Sequence, residues 1–125
     1  MKKIIAPNAP KAIGPYAAAM RSGNLIFCSG QTPLNPETMK IQGSTIEEQT
    51  LLALSNLESV LKEEGCDRTC IIKTSVFLKN FADFPTMNAT YATFFGDHTP
   101  ARTTVEVSRL PMDALVEIEC IAEIK

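Results

Sequence analysis

Apolar positions recur along this chain with two different periods, and the changes of period divide it into six extended segments and two helices. The clearest stretch begins at residue 44. Ile46, Ala53, Leu54, Leu57, Val60 and Leu61 fall at helical spacing and form one apolar stripe. Ser44-Thr45-Ile46-Glu47 reads as a capping box at its start, and Gly65 as the left-handed stop at its end. Phe84, Met87, Tyr91, Phe94 and Phe95 define a second helix that runs to Gly96. Its Met and aromatic stripe is the signature of core packing.

The extended segments read differently. Residues 2–5 make a short first strand. Segments 17–21 and 25–29 flank Ser22-Gly23-Asn24, a turn-forming triplet, and together predict a β-hairpin. Residues 31–43 carry Pro33, Asn35, Pro36 and Gly43 and predict a surface loop. Ile71–Leu78 is rich in β-branched and aromatic residues. Pro100 biases Thr99 toward extended geometry ahead of a strand at 102–107, and a loop at 108–114 contains Pro111. In the last strand, 115–124, Val116, Ile118, Cys120, Ala122 and Ile124 share one face. Glu117, Glu119, Ile121 and Glu123 share the other. Two helices can cover only one face of so small a sheet. The second face, mixing carboxylates with apolar residues, is either a self-association surface with a polar pocket or a solvated face with scattered apolar groups.

Composition narrows the partners. The 125 residues show no internal repeat or linker and predict one domain, with enough chain to bury roughly two-thirds of its surface. With 12 Lys+Arg against 14 Asp+Glu, the net charge of -2 counts against a partner held by phosphate neutralisation, hence against nucleic acid. No apolar run approaches the roughly 20 residues of a membrane span. Pro7 and Pro10 interrupt the segment after Met1-Lys2-Lys3 too early for a signal peptide, so a cytoplasmic location is expected. Cys28, Cys66, Cys70 and Cys120 lack paired zinc-ligand spacing and read as free thiols; His98 has no ligating neighbour.

Motifs for phosphate binding and for a nucleophile elbow are missing, and no metal or organic cofactor is expected. What remains is Arg102 entering a strand beside a sheet face with several carboxylates. An arginine so placed can grip a carboxylate through two parallel hydrogen bonds. A glutamate in a partly dry pocket can move protons near neutrality. Taken one at a time, Arg102 reads better as a surface or interface ion pair, and each glutamate as part of a solvated strand face.

The order of motifs is more specific. Ala12-Ile13-Gly14-Pro15-Tyr16, Ser29-Gly30-Gln31, Met87-Asn88-Ala89-Thr90-Tyr91, Pro100-Ala101-Arg102, Val105-Glu106-Val107, Arg109-Leu110-Pro111 and Val116-Glu117-Ile118-Glu119 follow one another across the chain. Over essentially its full length it closely resembles the Rid/YjgF family of reactive-intermediate deaminases. The resemblance implies a chorismate-mutase-like α+β fold: a roughly six-stranded, mixed, mostly antiparallel sheet with two helices on one face. It also implies a homotrimer with three clefts between subunits. The implied chemistry is hydrolysis of 2-imino acids, formed from 2-aminoacrylate-type enamines, to 2-oxo acids and ammonia.

Roles follow position by position from the same resemblance. Arg102 matches the clamp on the substrate carboxylate. Glu117 matches the acid that activates the attacking water and then assists the leaving amine. Tyr16 closes the cleft, Asn88 supplies a polar group, and backbone amides near Gly30 and Thr104 stabilise developing charge. One departure stands out: Thr103-Thr104 occupies the place of a commoner Ser-Cys pair. A non-enzymatic regulator that binds small carboxylates in the same cleft is the alternative expectation. A ribonuclease or translation inhibitor fits poorly with one histidine and no basic stripe, and no specific feature points to a holdase.

Overall fold

The computed structural model describes all residues, Met1–Lys125. Six strands form one sheet: β1 (Lys2–Ile4), β2 (Ala19–Ser22), β3 (Leu25–Gln31), β4 (Ile71–Leu78), β5 (Ala101–Glu106) and β6 (Val116–Glu123). Helix α1 (Ile46–Lys62) joins β3 to β4, and α2 (Phe84–Phe95) joins β4 to β5. The spatial order is β1-β2-β3-β6-β4-β5. Every neighbouring pair is antiparallel except β4 and β5. Strands β3, β4 and β5 therefore all run the same way, and both helical crossovers advance in one direction across the sheet. Right-handed crossovers of that kind must leave both helices on the same face. This is the α+β arrangement expected, with two helices on one face of a mixed sheet.

Between helices and sheet lies one core. The predicted stripe of α1 is buried throughout, as are Met87, Tyr91, Phe94 and Phe95 of α2 and Val116, Ile118, Cys120 and Ala122 of β6. No helix is long and apolar enough to cross a membrane. All four cysteines are buried thiols, with Cys28 opposite Cys120 across β3 and β6. Burial and the adjoining Cys70 push the Cys66 thiol up to about 11.

Two local expectations need correction. The cap of α1 is Thr45, not Ser44: Thr45 Oγ1 accepts from the Glu48 amide at 3.2 Å. The run Ser-Thr-Ile-Glu-Glu contains two overlapping boxes, and the later one satisfies more donors. Glu48 Oε1 accepts from the amides of both Ser44 and Thr45 and from the Thr45 hydroxyl. The hairpin turn is also tighter than a triplet. Ser22 pairs with Leu25, so Gly23 and Asn24 alone make the turn, with Gly23 at φ +60°. Gly65 does end α1, at φ +71°. The Cys66 and Gly65 amides donate to Leu61 and Lys62 carbonyls, the bond pair of a Schellman motif.

Polar side chains inside the core pin the surface loops. Asn56, in the buried face of α1, donates to the Thr32 and Leu34 carbonyls at 3.2 and 3.0 Å. Gln49 accepts from the Leu115 amide and donates to the Gly43 carbonyl. Arg68 clasps Glu58 through its backbone amide, Nε and Nη2, donates Nη1 to the Phe94 carbonyl at 2.7 Å, and lies over the Phe94 ring. That cluster joins α1 to α2.

Candidate active site

Glu117 and Arg102 stand on opposite faces of the sheet. In β6, Glu117 is directly opposite Phe77, which in turn aligns with Val105. Paired residues share a face, so all three point away from the helices. Arg102 aligns with Thr74 and through it with Cys120, on the helix side. Two strand spacings and three residues along the strand put the two Cα atoms roughly 14 Å apart. Within one chain the two residues do not meet.

The Glu117 half is built by an irregularity in β3. Cys28 pairs with Cys120 and Gln31 with Ile118, so three steps on β3 oppose two on β6. The extra residue at Ser29-Gly30 is a β-bulge, a device common beside functional sites. It brings Gly30 under the Glu117 side chain: a Cβ on Gly30 would lie 3.0 Å from the Glu117 carboxyl carbon. Ser29 secures the preceding segment, donating its amide to the Ala18 carbonyl and its hydroxyl to that of Ala17. Tyr16 is turned toward the cleft by a tight bend in which its amide donates to the Gly14 carbonyl at 2.8 Å, with its ring against Gly14. The resulting cleft, of ≈ 110 Å³, is lined by Lys11, Ile13, Tyr16, Gly30, Met112 and Glu117 among others.

Glu117 forms no hydrogen bond or ion pair within the chain. Burial raises its carboxyl above the usual range, and the neighbouring Glu119 adds to the shift. A carboxyl in that condition can exchange protons closer to neutrality than a solvated one.

The Arg102 half lies at the edge of the sheet. The Arg102 guanidinium carbon is 4.8 Å from the Tyr91 ring centre and 5.6 Å from that of Phe84. Tyr91 is itself held by a 2.7 Å hydrogen bond to Thr74. No carboxylate of the chain pairs with Arg102. Stacked on aromatic rings and free of an acid, its fork is available to an incoming carboxylate. Asn88, exposed on α2, lines the same ≈ 370 Å³ cleft. His98 closes one side, its Nε2 2.6 Å from the Ile71 carbonyl. Thr104 follows Arg102 on the helix side of β5, and its buried hydroxyl has no hydrogen-bond partner.

The six predicted residues thus fall into two surface groups, Glu117 with Tyr16 and Gly30, and Arg102 with Asn88 and Thr104. Residue-by-residue reading missed the bulge and the loop anchors Asn56 and Gln49. Each left a trace: a glycine inside a strand, and polar residues at positions of an otherwise apolar helical stripe. The structure has no grouping of three His, Cys, Asp or Glu side chains able to hold a metal.

Comparison with known proteins agrees with this architecture along the whole chain. The family model described as Endoribonuclease L-PSP matches residues 6–124. A RutC family protein of Pyrococcus horikoshii is 47% identical over 123 residues, covering 98% of each chain. The 2-iminobutanoate/2-iminopropanoate deaminase of Escherichia coli K12 is 44% identical over 124 residues, covering 97% of this chain and 96% of its own. The crystal structure of E. coli TdcF with bound serine superposes with a TM-score of 0.95 at 38% identity, covering 100% of both chains. With its sheet order, its helices on one face and matches spanning nearly every residue, the chain belongs to the Rid/YjgF family, the family also described as endoribonuclease L-PSP.

Proposed function

We propose that this protein is a cytoplasmic 2-iminobutanoate/2-iminopropanoate deaminase, working as a homotrimer whose active sites lie between copies. The observation that carries the reading is Glu117 itself: a half-buried, unpartnered carboxyl set over Gly30 in a cleft, with its protonation shifted upward. An acid needed only to tile a solvated face would gain nothing from that burial. Arg102 is the complementary half, unpaired and stacked on the edge of the sheet. Apolar groups on the helix-free face, among them Phe27 at 45% and Val105 at 41% exposure, give copies of the chain a reason to associate there.

In this reading Arg102 of one copy reaches the Glu117 cleft of the next and clamps the substrate carboxylate through two parallel hydrogen bonds. The enamine tautomerises to the imine, R–C(=NH)–COO⁻. Glu117 takes a proton from water as the oxygen bonds to C2, then returns it to the nitrogen. Glu117 next carries the hydroxyl proton of the adduct to the amino group, the C–N bond breaks as the C=O bond forms, and 2-oxo acid and ammonia leave. Tyr16 and Asn88 orient the substrate, while amides near Gly30 and Thr104 face the charge of the bound acid and the tetrahedral adduct. Acid–base assistance of this kind supplies about 10²–10⁴-fold. That suffices for imines, which already hydrolyse unaided.

The test generates 2-aminoacrylate in situ with a serine dehydratase and follows imine loss. Wild type is expected to accelerate formation of pyruvate and ammonia, whereas Arg102→Ala and Glu117→Gln are not. Equal rates for all three would refute the enzymatic reading. Retained carboxylate binding without hydrolysis would favour the alternative, a regulator that senses small carboxylates.

A further inference from the structure

The lining of the cleft that holds Glu117 includes a side chain displayed by unusual backbone. Met112 and Asp113 lie consecutively in the left-handed region, at φ +55° and +57°. L-residues with side chains adopt this conformation rarely, and two in succession more rarely still. Left-handed non-glycine residues persist only where their surroundings overdetermine them, and they gather at functional sites.

Here the surroundings are explicit. Asp113 N–H donates to the Leu110 carbonyl at 3.1 Å and Ala114 N–H to that of Pro111 at 3.2 Å, closing the turn. Lys79 Nζ holds Asp113 Oδ1 at 2.9 Å, and the Lys79 amide donates to the Leu115 carbonyl at 3.0 Å. The side chain presented by this clamped turn is left 54% exposed, although it is a methionine. A second apolar residue of the cleft lining, Ile13, is 70% exposed. Both line the cavity that contains Glu117, together with Pro111 and the Tyr16 ring. Two large apolar side chains held out of the core beside an acid make an apolar wall with nothing of this chain to cover it.

We infer that Met112, together with Ile13, is a specificity-determining residue that receives the apolar side chain of the substrate beyond C2. This inference rests on the deaminase reading and sharpens it: the preferred imino acids carry an aliphatic chain of several carbons, and pyruvate-forming 2-iminopropanoate is a minimal substrate. The same cavity also presents Lys11, Gln31 and Glu117, polar groups suited to the imine end of such a molecule, beside the carboxylate that Arg102 of the neighbouring copy holds. Methionine fits a wall that must take chains of differing length, being unbranched and polarizable.

The experiment produces imines in situ from alanine, 2-aminobutyrate, norvaline and norleucine with an amino-acid oxidase, and compares kcat/KM along the series. For wild type, each added methylene buried on the wall is expected to raise kcat/KM roughly fourfold until the wall is filled. In Met112→Gly and Met112→Asn, both compatible with left-handed backbone, the norleucine-to-alanine ratio should fall several-fold. Ile13→Ala should lower it too. Because the ratio is taken within each variant, loss of folded protein cancels. A ratio unchanged in all three variants, with hydrolysis present, would overturn the role of this wall alone. No hydrolysis of any imine by wild type would overturn the deaminase reading and this inference with it.

Discussion

Glu117 lies so close over Gly30 that any side chain at position 30 would press on it: an added Cβ would stand 3.0 Å from the carboxyl carbon and 3.2 Å from Oε2. The contact exists because β3 bulges at Ser29-Gly30 while β6 runs straight. Glycine is used here for close approach rather than for an unusual dihedral. The carboxyl is the far end of a flexible side chain, so it can yield by a few tenths of an ångström, but only by leaving its place.

Gly30→Ala therefore separates activity from stability. Displacing the acid should lower kcat/KM for imine hydrolysis roughly 10- to 100-fold. The melting temperature should hold or rise, because alanine restricts the unfolded chain by up to about 1 kcal/mol. Parallel kinetics and thermal melts check both halves.

Glu117 itself has a pH signature. Burial and Glu119 raise its carboxyl above the ordinary 4.5, so the folded protein holds that proton more tightly than the unfolded chain. Its favourable contribution to folding is complete below 4.5 and is lost as pH rises through the folded-state value. Glu117→Gln removes this dependence and should melt at or above the wild-type temperature at neutral pH. It should also abolish the acid limb of the kcat/KM profile, with activity down about 10²–10⁴-fold. Melts at pH 4 and 7, set beside the rate profile, report both effects.

Arg102 and Glu117 on opposite faces predict complementation. Arg102→Ala and Glu117→Gln chains, each inactive, are mixed, dissociated in mild denaturant and reassembled. In a closed ring of three, about one quarter of the sites in an equal mixture carry both native groups. Recovery of that fraction of activity is expected. No recovery, with mixed assemblies demonstrated by native mass spectrometry, would remove the shared site.

The Arg68–Glu58 clasp should matter to stability rather than chemistry. Glu58 accepts from Arg68 at 2.7 to 2.9 Å, and its carboxyl is held below the usual range chiefly by those bonds. Arg68 is 38% exposed on its side chain, which tempers the cost of breaking the pair. Arg68→Ala should destabilise by about 2 kcal/mol in urea titration, and Arg68→Lys should recover only part, lacking the fork. The Glu58 contribution has the opposite sign to that of Glu117. It is complete above 4.5 and is lost as pH falls through the lowered folded value, so the difference between wild type and Arg68→Ala should shrink in acid.

The shifted cap of α1 gives the simplest test. Thr45→Ala should cost about 1 kcal/mol, whereas Ser44→Ala should stay within about 0.5 kcal/mol. The reverse order would place the cap at Ser44.

Helix α1, helix α2 and the strand β4 were legible almost residue for residue, because each carries its own period and its own end signals. The stripe from Ile46 to Leu61 can be buried only as a helix, and Gly65 stops it through local backbone freedom alone. Boundaries blurred where two local solutions compete: Ser44 and Thr45 each have a glutamate three residues on, and only the full set of amides to be satisfied decides between them. The candidate residues were legible through their motifs, not through composition, since one arginine and one glutamate leave no mark on a balanced chain.

Grouping those residues was a matter for tertiary structure. The alternation in β6 showed that Glu117 leaves the core, but nothing in the alternation around Arg102 says which face of the sheet it shares. That depends on register between strands distant in the chain, Thr74 with Arg102 and Phe77 with Glu117. A single step of register reverses every side chain of a strand. The bulge that sets Gly30 beneath the acid has the same origin, as does the clamped turn that displays Met112. Periodicity is local and can be read along one segment. The pairing of strands is a competition among all segments for one core, and it alone placed Arg102 and Glu117 on opposite sides of the sheet.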